Sequence, residues 1–214
     1  MDSPVNIFAR FLALVAAVLA GCAGPSPAPL PLAATPTPAT VFGADPWVAK
    51  LAHLGVEFVT ADDSRSVLGP LPTSCPVAGP PAAAVPSHAC TPGAISVPRM
   101  TAALVGRTVC GPTSSFRPPA SATAPVKVAA MRAEHLSSPL AITELDHLVP
   151  LELCGASSTS NLWAEPPLPN ATSTLNPKDK IEAALAAKVR AGKMSASEAA
   201  YRIASGWTTA LTGA

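Results

Sequence analysis

Twenty-six of the 214 residues are proline, and where they fall limits what can fold. Proline fixes φ, has no backbone donor and interrupts helices and central strands alike. Much of it lies with alanine in residues 23–42, 66–98 and 111–125. The first of these stretches reads as a semi-extended tether, the other two as irregular loops. The folded part is therefore shorter than the chain and amounts to one domain, with at most a small appendage.

The N-terminus reads as a targeting segment. Arg10 leads into FLALVAAVLAGC, an apolar run too short to span a bilayer comfortably but suited to a signal-peptide core. Its end, Leu19-Ala20-Gly21-Cys22, resembles a bacterial lipobox. That resemblance implies cleavage after residue 21, lipid on Cys22, and a tether over residues 22–42 that holds a domain off the cell membrane. An ordinary signal peptide, giving a secreted protein, is the rival. Cys75, Cys90, Cys110 and Cys154 remain, and an even number outside the cytoplasm suggests two disulfides. Three pairings are open. Zinc is the competing use of these cysteines, but no CxxC spacing is present. A formal charge of +1 provides no global field toward nucleic acid.

Residues 43–125 read as an irregular N-terminal region containing a short helix and a strand. Asp45 caps a helix opened by Pro46, carrying Trp47, Leu51 and Leu54 and ended by Gly55. VEFVTA alternates like a strand. Residues 66–98 read as a loop pinned by Cys75 and Cys90. Residues 99–110 read as a helix leading into a strand, and residues 126–136 as a helix. His53 and His88 read as surface or loop histidines. The C-terminal pattern is the clearest. Ile181, Leu185 and Val189 give one apolar helix face. Asp179 and Glu182 lie near the start of that helix and Lys188, Arg190 and Lys193 near its end, as the dipole prefers. Gly192 stops it. SASE at 195–198 is a capping-box sequence, opening a last helix with Ala199, Ile203, Trp207 and Leu211 on one face.

Between these regions lies ELDHLVPLELCG, residues 144–155. Its apolar residues point to a strand or a buried edge, yet Asp146 and His147 stand side by side within it. CGASSTS then makes a turn and NLWAEP a second strand, followed by a loop and the helix. A two-stranded ribbon followed by a helix can hold a metal ion between them. Phosphodiester cleavage needs a base, oxygen ligands and a cation at such a place. His147 has the ordinary pKa for the base, and Asp146 supplies a carboxylate. Successive strand residues face opposite ways, which separates the two, although Pro150 implies that the strand ends or bends nearby. Carboxylate and amide oxygens suit magnesium or manganese better than zinc.

The combination LDHLVPLEL…NLW…LNPKDK resembles the HNH, or ββα-metal, endonuclease family. It is most similar to small exported bacterial proteins with a DHLxPLELGG…NLWPEP…KD pattern, and CTPG, TVC and RPP upstream look like what precedes the motif there. The resemblance covers roughly residues 88–211. It implies an α+β fold, with a ββα core and flanking helices over residues 126–214 and a disulfide-pinned irregular part before them. It implies that His147 is the general base and that Asp146 is a metal ligand. Asn161 would brace the loop and orient the histidine, and Asn176 would be the last metal ligand. Lys178 and Lys180 are candidates for substrate phosphate, against a reading as solvated helix charge. Arg117 and Lys127 are weaker candidates. Two departures stand out: Cys154-Gly155 replaces Gly-Gly, and Asn176 stands where close relatives tend to carry histidine. Trp163 reads as core, Glu144 as solvent-facing with a distal carboxylate for the site as the alternative, and Glu152 as either a surface acid or a loop brace.

Residues 127–214 carry eight Lys or Arg and eight Asp or Glu, so no basic footprint marks a nucleic-acid grip. Two functions stay open. One is an exported, lipid-anchored nuclease using Mg²⁺ or Mn²⁺ on DNA with low sequence specificity. The other is an inactive envelope lipoprotein that keeps the ββα scaffold as a binding or structural module.

Overall fold

A computed structural model describes residues 42–71 and 73–212; the signal run, Cys22 and nearly all of the tether lie outside the described residues. The first helix, α1 (Pro46–His53), begins as its sequence dictates. The Asp45 carboxylate accepts from the backbone N–H of Trp47 at 2.8 Å, and Pro46 occupies the first helical position. The strand expected at VEFVTA is β1 (Glu57–Val59). Its partner, β2 (Ala94–Ser96), lies inside the stretch read as loop and pairs with it in parallel, Glu57 opposite Ala94. All three β2 residues are buried. A strand covered on both faces shows no alternation in sequence, which is why it was invisible there.

Helix α2 (Val97–Gly106) follows directly and ends at Arg107 in the left-handed region, φ 50°. The strand expected after it does not form. Instead the chain turns back, and the Cys110 N–H donates to the Glu152 carbonyl at 3.0 Å. Helix α3 (Ala120–Ala133) starts earlier than the sequence suggested and carries Pro125 within it, at the loss of one helical hydrogen bond. Strands β3 (Glu144–His147) and β4 (Leu162–Glu165) form an antiparallel hairpin, and a 3₁₀ turn (Leu151–Leu153) lies in their connection. Helices α4 (Pro177–Arg190) and α5 (Ala196–Gly206) complete the chain.

Helix α4 ends in the left-handed glycine turn expected of Gly192, with the Lys193 N–H reaching the Lys188 carbonyl at 2.9 Å. The two caps divide differently from expectation. Ser195 accepts from the Glu198 N–H, but the Glu198 side chain turns to Arg202 rather than back to the cap. The reciprocal box forms instead at Asn176 and Asp179.

The largest apolar cluster draws on both halves of the chain. Leu51, Val56, Ile95 and Met100 from the first half pack with Leu185, Val189, Ile203 and Trp207 from the second, and the Trp207 indole donates to the Ala84 carbonyl at 2.8 Å. Residues on both sides of position 125 thus contribute to one shared apolar cluster. The architecture is mixed α+β, with five α-helices and two small two-stranded sheets among the described residues.

The cysteines pair as Cys75–Cys90 and Cys110–Cys154, with Cα separations of 5.9 and 5.1 Å, one of the three pairings open from the sequence. They close segments of 15 and 44 residues. On loop entropy alone, Cys75→Ser/Cys90→Ser should cost about 3 kcal/mol and Cys110→Ser/Cys154→Ser about 4 kcal/mol. Urea unfolding midpoints of the two double variants check that order.

Candidate functional site

The hairpin sorts its side chains onto two faces. Glu144 pairs with Glu165 and Asp146 with Trp163 across the strands, while Leu145 pairs with Ala164 and His147 with Leu162. The first four share one face and the second four the other. Helix α3 covers the second face, with Ala130 and Met131 packed against Leu145 and Ala164. Helix α4 serves the first. The adjacent Asp146 and His147 thus leave the strand in opposite directions.

On the first face, the ammonium of Lys178 is fully buried. Its Nζ lies 2.7 Å from Asp146 Oδ2, donates to the His147 carbonyl at 2.8 Å and contacts the Glu182 carboxylate. These three acceptors use all its protons. Lys178 is therefore neither a solvated charge nor a phosphate contact. Burial pulls it down, but Asp146 and Glu182 more than offset this and leave it above its ordinary value. Lys180 is exposed. Trp163 is a core residue as expected, and its indole also donates to Asp146 Oδ2 at 3.2 Å.

Asn176 is the N-cap of α4. Its Oδ1 accepts from the Asp179 N–H at 3.2 Å and its Nδ2 donates to Glu144 at 2.9 Å. Glu144 is thereby drawn into the site rather than left facing solvent. Glu165 is 1 % exposed, and neither of its carboxyl oxygens has a hydrogen-bond partner. Burial, with Asp146 and other acids nearby, pushes Glu165 up to about 9; burial, Asp146 and Asp179 push Glu144 to about 7. Burial also raises Glu182, to about 7 against the pull of Lys178. It raises Glu134 to about 8, although that carboxylate accepts from the Ala164 N–H. Glu152 is resolved as a loop brace that pairs with Arg190 of α4.

On the other side, His147 sits at the end of β3, 5 % exposed, with Nε2 3.1 Å from Ser157 Oγ. Burial, and then the charges of Arg117, Lys178 and Arg99, push its pKa down to about 3, so the ring is neutral at physiological pH. Ser157 also donates its N–H to Asp63 at 2.6 Å. Asp63 pairs with Arg99 at 2.6 Å, and Arg99 in turn donates to the Gly155 carbonyl at 2.9 Å. Phe116 stacks on the Arg99 guanidinium, 4.6 Å from its ring centre. Asn161 is fully buried and spends its amide on the loop. It accepts from the Val149 N–H and donates to the Val149 and Ala156 carbonyls, each at 2.9 Å. It braces the loop, and the ring contact to His147 comes from Ser157.

Cys154 adopts φ 71°, a left-handed conformation that glycine takes without cost; here a disulfide-bonded cysteine holds it. Gly155 is obligatory, because a Cβ there would lie 1.7 Å from the Val149 carbonyl oxygen.

No protein-family model matches this chain, and comparisons with curated proteins and with solved structures return no match. The function must be argued from the site itself.

Asp146 and Asn176 do not make a ready ligand pair for a divalent cation, because Lys178 sits on the first and the helix cap uses both ends of the second. Among the described residues no three His, Cys, Asp or Glu side chains are gathered as a metal shell. The donor chemistry of the face fits nonetheless: Glu144 and Glu165 stand opposite each other, and carboxylate oxygens suit a hard cation. The sequence did not single out Asp63, Arg99, Ser157 or Glu165. Only Glu165 left a local signal, its two-residue spacing from Trp163.

Two outcomes follow. Lys178→Met leaves Asp146 and Glu182 without their buried counter-charge and should cost about 3–5 kcal/mol, whereas Lys180→Met should change stability by less than about 0.5 kcal/mol; denaturant midpoints decide. The second concerns pH. Glu134, Glu144, Glu165 and Glu182 bind protons more tightly folded than unfolded, so the stability they contribute is present at low pH and lost as pH rises through 7 to 9. His147 acts oppositely, but only below its ordinary value of 6.5. In chelator, the melting temperature should fall between pH of about 6.5 and 9, and Glu165→Gln should flatten the upper part of that fall.

Proposed function

We propose that the chain is an HNH-type phosphodiester hydrolase acting on nucleic acid, DNA first, with little sequence preference. The observation that carries this reading is His147: an imidazole fixed at the end of β3 by Ser157, kept neutral by its burial and then by Arg117, Lys178 and Arg99 nearby. Ser157 fixes Nε2. Nδ1 makes no hydrogen bond to the described residues, and is the atom through which His147 accepts a proton from water. Burial and the neighbouring positive charges keep the lone pair available, and the negative charge of a bound phosphate makes the ring more basic. Asn161 holds the loop that carries Ser157, and so holds the ring. The hydrolase reading calls for a divalent cation, which would supply charge for the leaving oxygen; the carboxylates that would hold it, Glu144 and Glu165, lie on the hairpin face opposite His147.

The same reading takes the N-terminal run as an export signal and Cys22 as a lipid anchor. Two disulfides agree with an oxidising compartment. No helix among the described residues is long and apolar enough to cross a membrane.

A second reading has its own observation. The Lys178 ammonium on Asp146 and the 5 % exposure of His147 favour a ββα scaffold kept for binding or structure without catalysis. Plasmid and single-stranded DNA incubated with the purified protein in Mg²⁺, Mn²⁺ or chelator separate the two. Metal-dependent cutting that falls by about 10²–10⁴-fold in His147→Ala, with an unchanged circular dichroism spectrum, establishes the hydrolase. Cutting that survives this substitution overturns the role of His147, and no cutting under any condition leaves the scaffold reading.

A further inference from the structure

The acidic face of the hairpin carries more carboxyl groups than the one cation that reaches it among the described residues can pair. Glu144, Asp146 and Glu165 project from it, and Lys178 is the basic group that reaches it. The three ammonium protons of Lys178 go to Asp146, Glu182 and the His147 carbonyl, so none is left for Glu165. Glu165 is nevertheless 1 % exposed with two unpartnered oxygens. A buried carboxyl group in that state is among the costliest arrangements a protein interior holds, and it calls for an occupant that pairs with it.

Register supplies the second half of the argument. Glu144 lies directly opposite Glu165, a pairing that sets Cβ atoms about 4.5–5.5 Å apart. Two carboxyl groups so placed repel once both are ionised, unless something positive lies between them. Glu144 is only half-buried and offers a way in, and one of its oxygens is already steered by Asn176. Magnesium and manganese are commonly held by one or two carboxylates, with water and substrate phosphate completing the octahedron.

We propose that Glu144 and Glu165, facing each other across the hairpin, form the divalent-cation site of this protein, with Asn176 acting only to position Glu144. This rests on the hydrolase reading for the use of the cation, and it differs from that resemblance in the ligands. Asp146 is the counter-ion of Lys178, and Asn176 is a helix cap.

Binding of Mn²⁺ to the full-length protein, followed by the loss of the free-ion electron paramagnetic resonance signal at pH 8, tests it. The wild type should take up one ion per chain. Glu165→Gln and Glu144→Gln should each weaken binding by on the order of tenfold or more. Lys180→Met, exposed on α4, should bind as the wild type does, and Asn176→Ser, which keeps the cap but loses the contact to Glu144, should weaken binding less than either glutamate variant. Melting curves in chelator confirm that the variants fold, and the half-buried Glu144 provides a second variant should Glu165→Gln fail to do so. No uptake by the wild type, meaning that a proton alone satisfies Glu165, overturns the site. So does loss of binding in Asn176→Ser with retention in Glu165→Gln. DNA cleavage measured on the same samples separates the two ideas. Uptake through Glu165 without cleavage supports the site against the hydrolase, and cleavage that persists in Glu165→Gln and Glu144→Gln supports the hydrolase against the site.

Discussion

The buried ammonium of Lys178 joins the parts of this molecule that sequence separates. Its three acceptors belong to β3 and to its own helix: the Asp146 carboxylate, the His147 carbonyl and Glu182. Helix α4 is therefore seated on the hairpin by charge as well as by packing. A buried ion pair contributes modestly to net stability, because desolvation consumes most of the attraction, but losing one partner is expensive. The consequence is specificity of placement. Helix α4 can meet the hairpin only where this ammonium finds all three oxygens, and that position sets the Asn176 cap against Glu144.

A second polar network does for the other face what Lys178 does for the first. Asp63 reaches the Ser157 backbone and Arg99, Arg99 reaches Gly155, and Ser157 reaches His147. The first half of the chain, irregular as it looks, holds the loop that presents the imidazole. The ribbon and its helix are not self-sufficient, and the parallel pair β1–β2 and the shared core are what bring Asp63 and Arg99 to the loop.

Much of this was legible in the sequence where the signal is local. The α4 and α5 faces, the Asp45 cap, the Gly192 stop, the Trp207 core position and the strand–turn–strand–helix order after residue 140 all rest on spacings within a few turns. The alternation rule set Asp146 and His147 apart, although the reading of one shared site leaned on a bend near Pro150. What escaped notice depends on distance or on burial without pattern. Strand β2 is covered on both sides and has no period. Proline masked the start of α3. Asn176 read as a ligand because its place in the motif is visible, whereas its commitment to the cap depends on Asp179 and Glu144 together. The role of Lys178 could not be read at all, since a lysine two residues into a helix is ordinarily solvated and only the surrounding carboxylates make it interior.

The long reach of these contacts has a consequence for how the protein forms. Asp63 and Ser157 are 94 residues apart, Ala84 and Trp207 are 123 apart, and Asp45 and Ser197 are 152 apart. Loops of that size must close before their contacts return any stabilisation, which makes such folds slow. A chain delivered N-terminus first holds Asp63, Arg99 and both members of the first disulfide long before it holds Trp207. His147 therefore acquires its surroundings only when almost the whole polypeptide has emerged. Until then the chain is a set of unclosed loops with no assembled chemistry, and the last helix to appear is the one that completes the core.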